Sequence, residues 1–149
     1  MRNAILLAIA VALPLAACGR EGSALAPKGW QAVPGASDEW SNGSNATLQS
    51  YGVVRRPFSG SLQDLASAAT IDVLLHHHGS RLRGSSPFAP CPGAAGVATF
   101  ALPGAHVLQE GFALRDGSSI RTTYVRPAAG AADPSVTDAM QSALCAPPA

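Results

Sequence analysis

A short apolar segment at the N-terminus limits what this chain can fold into. Arg2 precedes a largely apolar run from Ala4 to Ala17, and residues 19–21 are Gly, Arg and Glu. A permanent membrane helix needs about 20 consecutive apolar residues, so this run is too short to span a bilayer. A basic residue followed by an apolar stretch of this length is typical of a secretory signal peptide. We therefore expect residues 1–17 to be removed and the rest to fold outside the cytoplasm.

The end of the apolar segment indicates how the chain is processed. Leu15-Ala16-Ala17-Cys18 resembles the lipobox of bacterial lipoproteins, in which an aliphatic residue and two small residues precede a cysteine. In that family the cysteine thiol receives a diacylglyceryl group, and the signal peptide is cleaved just before it. The resemblance implies a mature chain that begins at Cys18 and is anchored to the bilayer by acyl chains such as palmitate, without spanning it.

The residue after the modified cysteine indicates which membrane a lipoprotein reaches. In diderm bacteria an Asp at this position favours retention in the inner membrane, whereas Gly19 resembles the default class, which reaches the outer membrane. The lipobox thus implies a protein that is lipid-anchored in the outer membrane and faces the periplasm. The alternative is ordinary signal-peptidase cleavage at Ala24-Leu25-Ala26, which lies far from the apolar segment and has Pro27 just after the cut.

The two remaining cysteines form an even pair once Cys18 is assigned to lipid. In an oxidising envelope compartment Cys91 and Cys145 are expected to form a disulfide. Closing the loop between them would stabilise the domain by roughly 4 kcal/mol in the chain-entropy model. A redox role is the alternative, but the chain has no C-x-x-C motif and prolines flank Cys91.

Length and composition assign the rest of the chain to one domain. A chain of 149 residues is short enough for a single domain. Residues 18–29 are rich in Gly, Ala, Ser and Pro, so we interpret them as the lipidated cysteine and a flexible tether, and residues 30–149 as one globular domain. Lys and Arg number 10 against 9 for Asp and Glu. This balance gives no indication of nucleic-acid binding.

Apolar periodicity predicts two helices. The first runs from Ser61 to Gly79, with Ser61 as the N-cap and Asp64 at the third position. The second begins with Asp133 as the N-cap and Pro134 at the first helical position. The apolar stripe of the first helix contains Leu62, Leu65, Ala66, Ala69 and Val73, and that of the second contains Val136, Ala139, Met140, Ala143 and Leu144.

Alternating residues predict strands over 47–54, 81–88, 97–102, 107–115 and 119–126. The first of these is expected to end at Arg55-Arg56-Pro57, and the second to be interrupted by Gly84-Ser85-Ser86. Asp116-Gly117 predicts a tight hairpin turn, because both positions tolerate positive φ. The segment from Trp30 to Trp40 is interpreted as turns around Pro34-Gly35.

The order of these elements predicts an α+β fold, an antiparallel β-sheet of about four to six strands with two main helices packed on it. A Trp-containing start, an early helix, antiparallel strands and a C-terminal helix also resemble the PsbP-like α/β/α sandwich of small bacterial lipoproteins. That resemblance implies the same fold, which is found in non-catalytic adaptor and assembly proteins.

Three consecutive histidines, His76-His77-His78, are the candidate metal ligands. Consecutive helical residues diverge by about 100° each, so three adjacent imidazoles cannot all reach one ion, although two of them with His106 or a carboxylate would suffice. The other interpretation is that imidazoles at a helix C-terminus interact with the negative end of the helix dipole. Neither reading identifies an enzyme.

Two basic pairs, Arg55-Arg56 and Arg81/Arg83, fit either an anionic envelope component, such as lipid head groups, or a charged sheet edge that discourages strand pairing. No motif for a serine hydrolase or a phosphate-binding loop is present in the sequence. We therefore expect a non-catalytic envelope lipoprotein without a cofactor, which contacts the bilayer through acylated Cys18 and binds or supports another envelope protein. The alternative is a metal-handling or enzymatic periplasmic domain that uses His76-His77-His78.

Overall fold

The computed structural model describes residues 24–146. The predicted signal peptide, the lipobox and Cys18 lie outside the described residues. Within them the chain forms strands β1 (Gln31–Ala32), β2 (Glu39–Asn42) and β3 (Gln49–Pro57), helix α1 (Leu62–His76), strands β4 (Arg81–Pro87), β5 (Ala95–Leu102), β6 (His106–Arg115) and β7 (Ser118–Pro127), and helix α2 (Pro134–Leu144).

The described strands form one sheet in the order β1-β2-β3-β7-β6-β5-β4, with every neighbouring pair antiparallel. The predicted α+β class with an antiparallel sheet is confirmed. The predicted count of four to six strands is wrong, because the described sheet has seven. The two additional strands, β1 and β2, lie in the segment interpreted as turns. They span only 2 and 4 residues, too few to show an alternating pattern.

Two strand boundaries also differ from the prediction. β3 does not end before Arg55 but continues through Pro57, because β7 pairs with it from Ser50 to Pro57. β4 is not interrupted at Gly84-Ser85-Ser86, since all three residues pair with β5, and the ladder only shifts register between Leu82 and Gly84. In both places a neighbouring strand supplies backbone hydrogen bonds that local sequence does not reveal.

The β6–β7 hairpin turns where it was predicted. Asp116 and Gly117 have φ values of +50° and +73°, as a tight turn between twisted strands requires. The turn fixes the register of the two central strands, so that Glu110 lies opposite Thr123 and Phe112 lies opposite Arg121.

The two helices pack on opposite faces of the sheet. Because successive side chains of a strand point to opposite faces, β6 contributes to both cores. Leu108 and Phe112 pack with the α1 residues Leu65, Ala69 and Val73, whereas Ala113 packs in the core that contains α2. We refer to these as the α1 face and the α2 face.

The helix ends follow the predicted capping chemistry. At α1 the Ser61 hydroxyl accepts from the Asp64 backbone N–H, and the Asp64 carboxylate accepts from the Ser61 N–H. At α2 the Asp133 carboxylate accepts from the Ser135 N–H and also from Trp30 Nε1. All five residues of the predicted α2 stripe are buried. Helix α1 ends at His76 rather than at Gly79.

Cys91 and Cys145 lie at disulfide distance, as the cysteine count predicts, with their Cα atoms 5.7 Å apart. The bond joins the C-terminal end of α2 to the loop before β5. Among residues 24–146 no helix is long and apolar enough to cross a membrane.

Close packing of α2 on the sheet generates a stability prediction at Gly111. A Cβ atom at this position would collide with the Thr122 hydroxyl and lie 2.6 Å from Leu144 Cδ1. Gly111→Ala should therefore lower the free energy of unfolding by about 1–3 kcal/mol, as overpacking does in other cores. Gly84→Ala is the matched control, because no atom lies within 4 Å of its added Cβ. Urea unfolding measures both, and equal effects would contradict the close approach of α2.

Candidate functional site

A charged cleft lies on the α1 face, beside the helix. Helix α1 packs on β5 and β6, and the adjoining part of this face, formed by β7 and β3, carries polar side chains. They line a cavity of about 430 Å³, which we call the polar cleft, formed by Val54, Arg56, Asp72, His76, Glu110, Ser119, Arg121 and Thr123.

Glu110 forms the floor of the polar cleft and is only 1% exposed. One of its carboxylate oxygens accepts from Arg121 Nε, and the other accepts from the Thr123 hydroxyl at 2.8 Å. The hairpin register explains this geometry, because Thr123 is directly opposite Glu110 and Arg121 is the diagonal neighbour on the same face. Both oxygens of the buried carboxylate are thereby hydrogen-bonded.

Arg121 connects the sheet to α1. Its Nη1 donates to one oxygen of Asp72 at 2.9 Å, while the other Asp72 oxygen lies 3.0 Å from His76 Nδ1, one helical turn further on. Glu110, Arg121, Asp72 and His76 therefore form a continuous chain of contacts, which we call the charged network. Burial decreases from Glu110 to His76, whose side chain is 72% exposed.

Two opposing effects act on the pKa of Glu110. Burial raises it, whereas the Arg121 charge and the hydrogen bonds from Thr123 and Arg121 lower it. Burial is the larger effect, so the pKa of Glu110 lies above its ordinary value. The network therefore compensates only part of the cost of removing the carboxylate from water.

Arg56 borders the cleft on the opposite side from α1. It lies on β3 directly opposite Ser119 of β7, so it is a diagonal neighbour of Arg121. Its side chain is exposed and makes no ion pair with any residue of the described chain. The Ser119 hydroxyl donates to the Arg56 backbone carbonyl at 3.3 Å.

The predicted histidine cluster is not assembled. His76 belongs to the charged network, His77 is the C-cap of α1, His78 is exposed and His106 begins β6. No group of three His, Cys, Asp or Glu side chains that could hold a metal ion occurs between residues 24 and 146. Of the four histidines, only His76 lines the polar cleft, and Arg56 from the predicted basic pair lines it as well.

Sequence reasoning missed the residues at the centre of the cleft, namely Glu110, Arg121, Thr123 and Asp72. A usable indication existed in the hairpin. A two-residue turn at Asp116-Gly117 places Glu110 opposite Thr123 and diagonal to Arg121, so a carboxylate within a strand should have been paired with its cross-strand partners. Asp72 reaches Arg121 only because of the way α1 packs on the sheet, and no pattern of neighbouring residues in the sequence predicts that contact.

No protein-family model matches the chain, and no curated protein matches it in sequence. The polar cleft is therefore interpreted from its own geometry.

The direction of the Glu110 pKa generates a pH prediction. A carboxyl whose pKa is raised by folding contributes stability below its unfolded pKa, and this contribution is lost as pH rises through the folded pKa. The free energy of unfolding of the wild type relative to Glu110→Gln should therefore fall as pH rises above about 4, the ordinary pKa of a glutamate.

Asp64→Asn is a control with the opposite sign. Backbone and side-chain hydrogen bonds from Ser61 lower the pKa of Asp64, so its contribution should be lost as pH falls from about 5 towards 2. Urea unfolding across this pH range measures both variants. If the wild type instead became more stable relative to Glu110→Gln as pH rises, the effect of Arg121 on the pKa of Glu110 would be larger than the effect of burial.

Proposed function

We propose that this chain is a lipid-anchored protein of the bacterial outer membrane, facing the periplasm, whose domain binds another envelope component without catalysing a reaction. The anchor is inferred from the lipobox that ends at Cys18. Two helices on opposite faces of one antiparallel sheet support the proposed likeness to PsbP-like lipoproteins.

A short connection between the anchor and the domain supports this proposal. Pro27 is fully buried and Ala24 packs against the core on the α2 face. Five residues separate Cys18 from Ala24, so the two can lie at most about 20 Å apart, the reach of a fully extended chain of that length. Acylation of Cys18 would hold the domain close to the bilayer surface.

The polar cleft is the observation that favours binding. Arg121 donates to one carboxylate oxygen of Glu110 and to one of Asp72, so these two carboxylates orient its guanidinium group. The hydroxyl of Ser119 donates to a backbone carbonyl, whereas a nucleophilic hydroxyl is activated by a hydrogen bond to a general base. A cleft with a fixed arginine and a second, exposed arginine is suited to holding a ligand.

The anchor is tested by replacing its cysteine. Cys18→Ala should abolish incorporation of a clickable palmitate analogue and release the protein from the membrane fraction, because the acylated thiol is absent. Cys91→Ala is the control for cysteine loss and should keep the label. Labelling that persists in Cys18→Ala would disprove the lipobox interpretation.

Binding at the cleft is tested by site-specific photocross-linking in intact cells. A photoreactive amino acid at Val54, which is 47% exposed in the polar cleft, should give an adduct with an envelope component. The same amino acid at Arg55 should not, because this neighbouring residue points to the α2 face. Adducts are compared by gel shift and mass spectrometry. Equal adducts at both positions, or none at Val54, would contradict the proposal.

A further inference from the structure

We propose that the polar cleft binds a phosphate group between Arg56 and Arg121. This inference rests on the proposed binding function and specifies its ligand class. Among the described residues that line the cleft, the cations are Arg56 and Arg121, and the anions are Glu110 and Asp72.

The positions of these charges matter more than their sum. Both carboxylates contact Arg121, and neither of them forms an ion pair with Arg56. Arg56 lies across the cleft on β3 and forms no ion pair within residues 24–146. The cleft therefore has a neutralised side next to α1 and a positive side next to β3.

Unused hydrogen-bond donors point to the same ligand. Arg121 Nε donates to Glu110 and Nη1 donates to Asp72, whereas Nη2 donates to none of the described residues. The guanidinium of Arg56 contributes further N–H groups. By contrast, both oxygens of Glu110 and one oxygen of Asp72 accept hydrogen bonds from Arg121 or Thr123, and the other Asp72 oxygen lies 3.0 Å from His76 Nδ1. A site with spare donors and satisfied acceptors favours an oxyanion over a cation.

The geometry is fixed before a ligand arrives. Contacts to Glu110 and Asp72 hold Arg121, whose side chain is 24% exposed, so little conformational freedom remains to be lost on binding. The β3–β7 register places Arg56 one diagonal step away on the same face, within reach of a shared anion. Two guanidinium groups can donate to different oxygens of one phosphate, and the cavity of about 430 Å³ leaves space for the group that carries it.

The test measures binding of inorganic phosphate to the full chain in detergent at constant ionic strength. Titration is followed by the ¹⁵N-edited NMR signal of the Arg121 side chain, and phosphate should shift this signal saturably. Arg56→Gln should weaken the affinity about tenfold or more, because a charge-assisted hydrogen bond is lost. Arg55→Gln removes the same charge from the opposite face and should change the affinity less than about twofold.

Two further titrations identify the source of the phosphate. Short-chain phosphatidylglycerol, used below its micellar concentration, should compete with phosphate if the group belongs to a lipid, and glycerol 3-phosphate should compete more strongly if it belongs to a soluble compound. Either result supports a phosphate site.

Three results would overturn the inference: no saturable shift with phosphate, equal weakening by Arg55→Gln and Arg56→Gln, or tighter binding of acetate than of phosphate. If one of these results occurs and the photocross-linking experiment still gives the Val54 adduct, the ligand class is wrong but the proposed binding function stands. If that experiment gives no Val54 adduct either, the phosphate site and the proposed binding function are both wrong.

Discussion

Pairing of β6 with β7 is the interaction on which the rest of the structure depends. The two strands lie at the centre of the sheet, and their register is set by the tight turn at Asp116-Gly117. Because side chains alternate between faces, this register decides which residues meet each helix. A shift of one residue would move Glu110 from the α1 face into the apolar core under α2, away from Arg121 and Thr123.

Burying a carboxylate in the sheet has a cost that the neighbouring residues only partly offset. Arg121 compensates the charge and also contacts Asp72 of α1, so the charged network links the helix to the strands. Replacing such a network with apolar side chains often leaves a protein equally stable or more so, and a buried ion pair is therefore weak evidence for a purely stabilising role. Its position next to an exposed arginine agrees with the proposed binding of a ligand in the polar cleft.

The sequence predicted the elements that have local determinants. Ser61 and Asp64 form a capping box, Asp133 and Pro134 start the second helix, and the central turn needs positive φ, so each could be recognised from a few adjacent residues. Strands β1 and β2 could not, because they are short and are stabilised by neighbouring strands: β2 pairs with β3, and β1 pairs with β2. The polar cleft was missed for the same reason, since it joins residues from β3, α1, β6 and β7.

The location of the cleft follows from the width of a helix. A helix about 10 Å across covers roughly two strands spaced about 4.8 Å apart, so neither face of this sheet can be covered by one helix. On the α2 face, aromatic side chains fill the remaining area: Trp40 stacks on Tyr51, and Trp30 packs edge-on against Tyr124. On the α1 face, no aromatic pair of this kind occupies the described part of β3 and β7, and the charged network lies there instead. The uncovered strands of this face are thus where a ligand can reach the sheet.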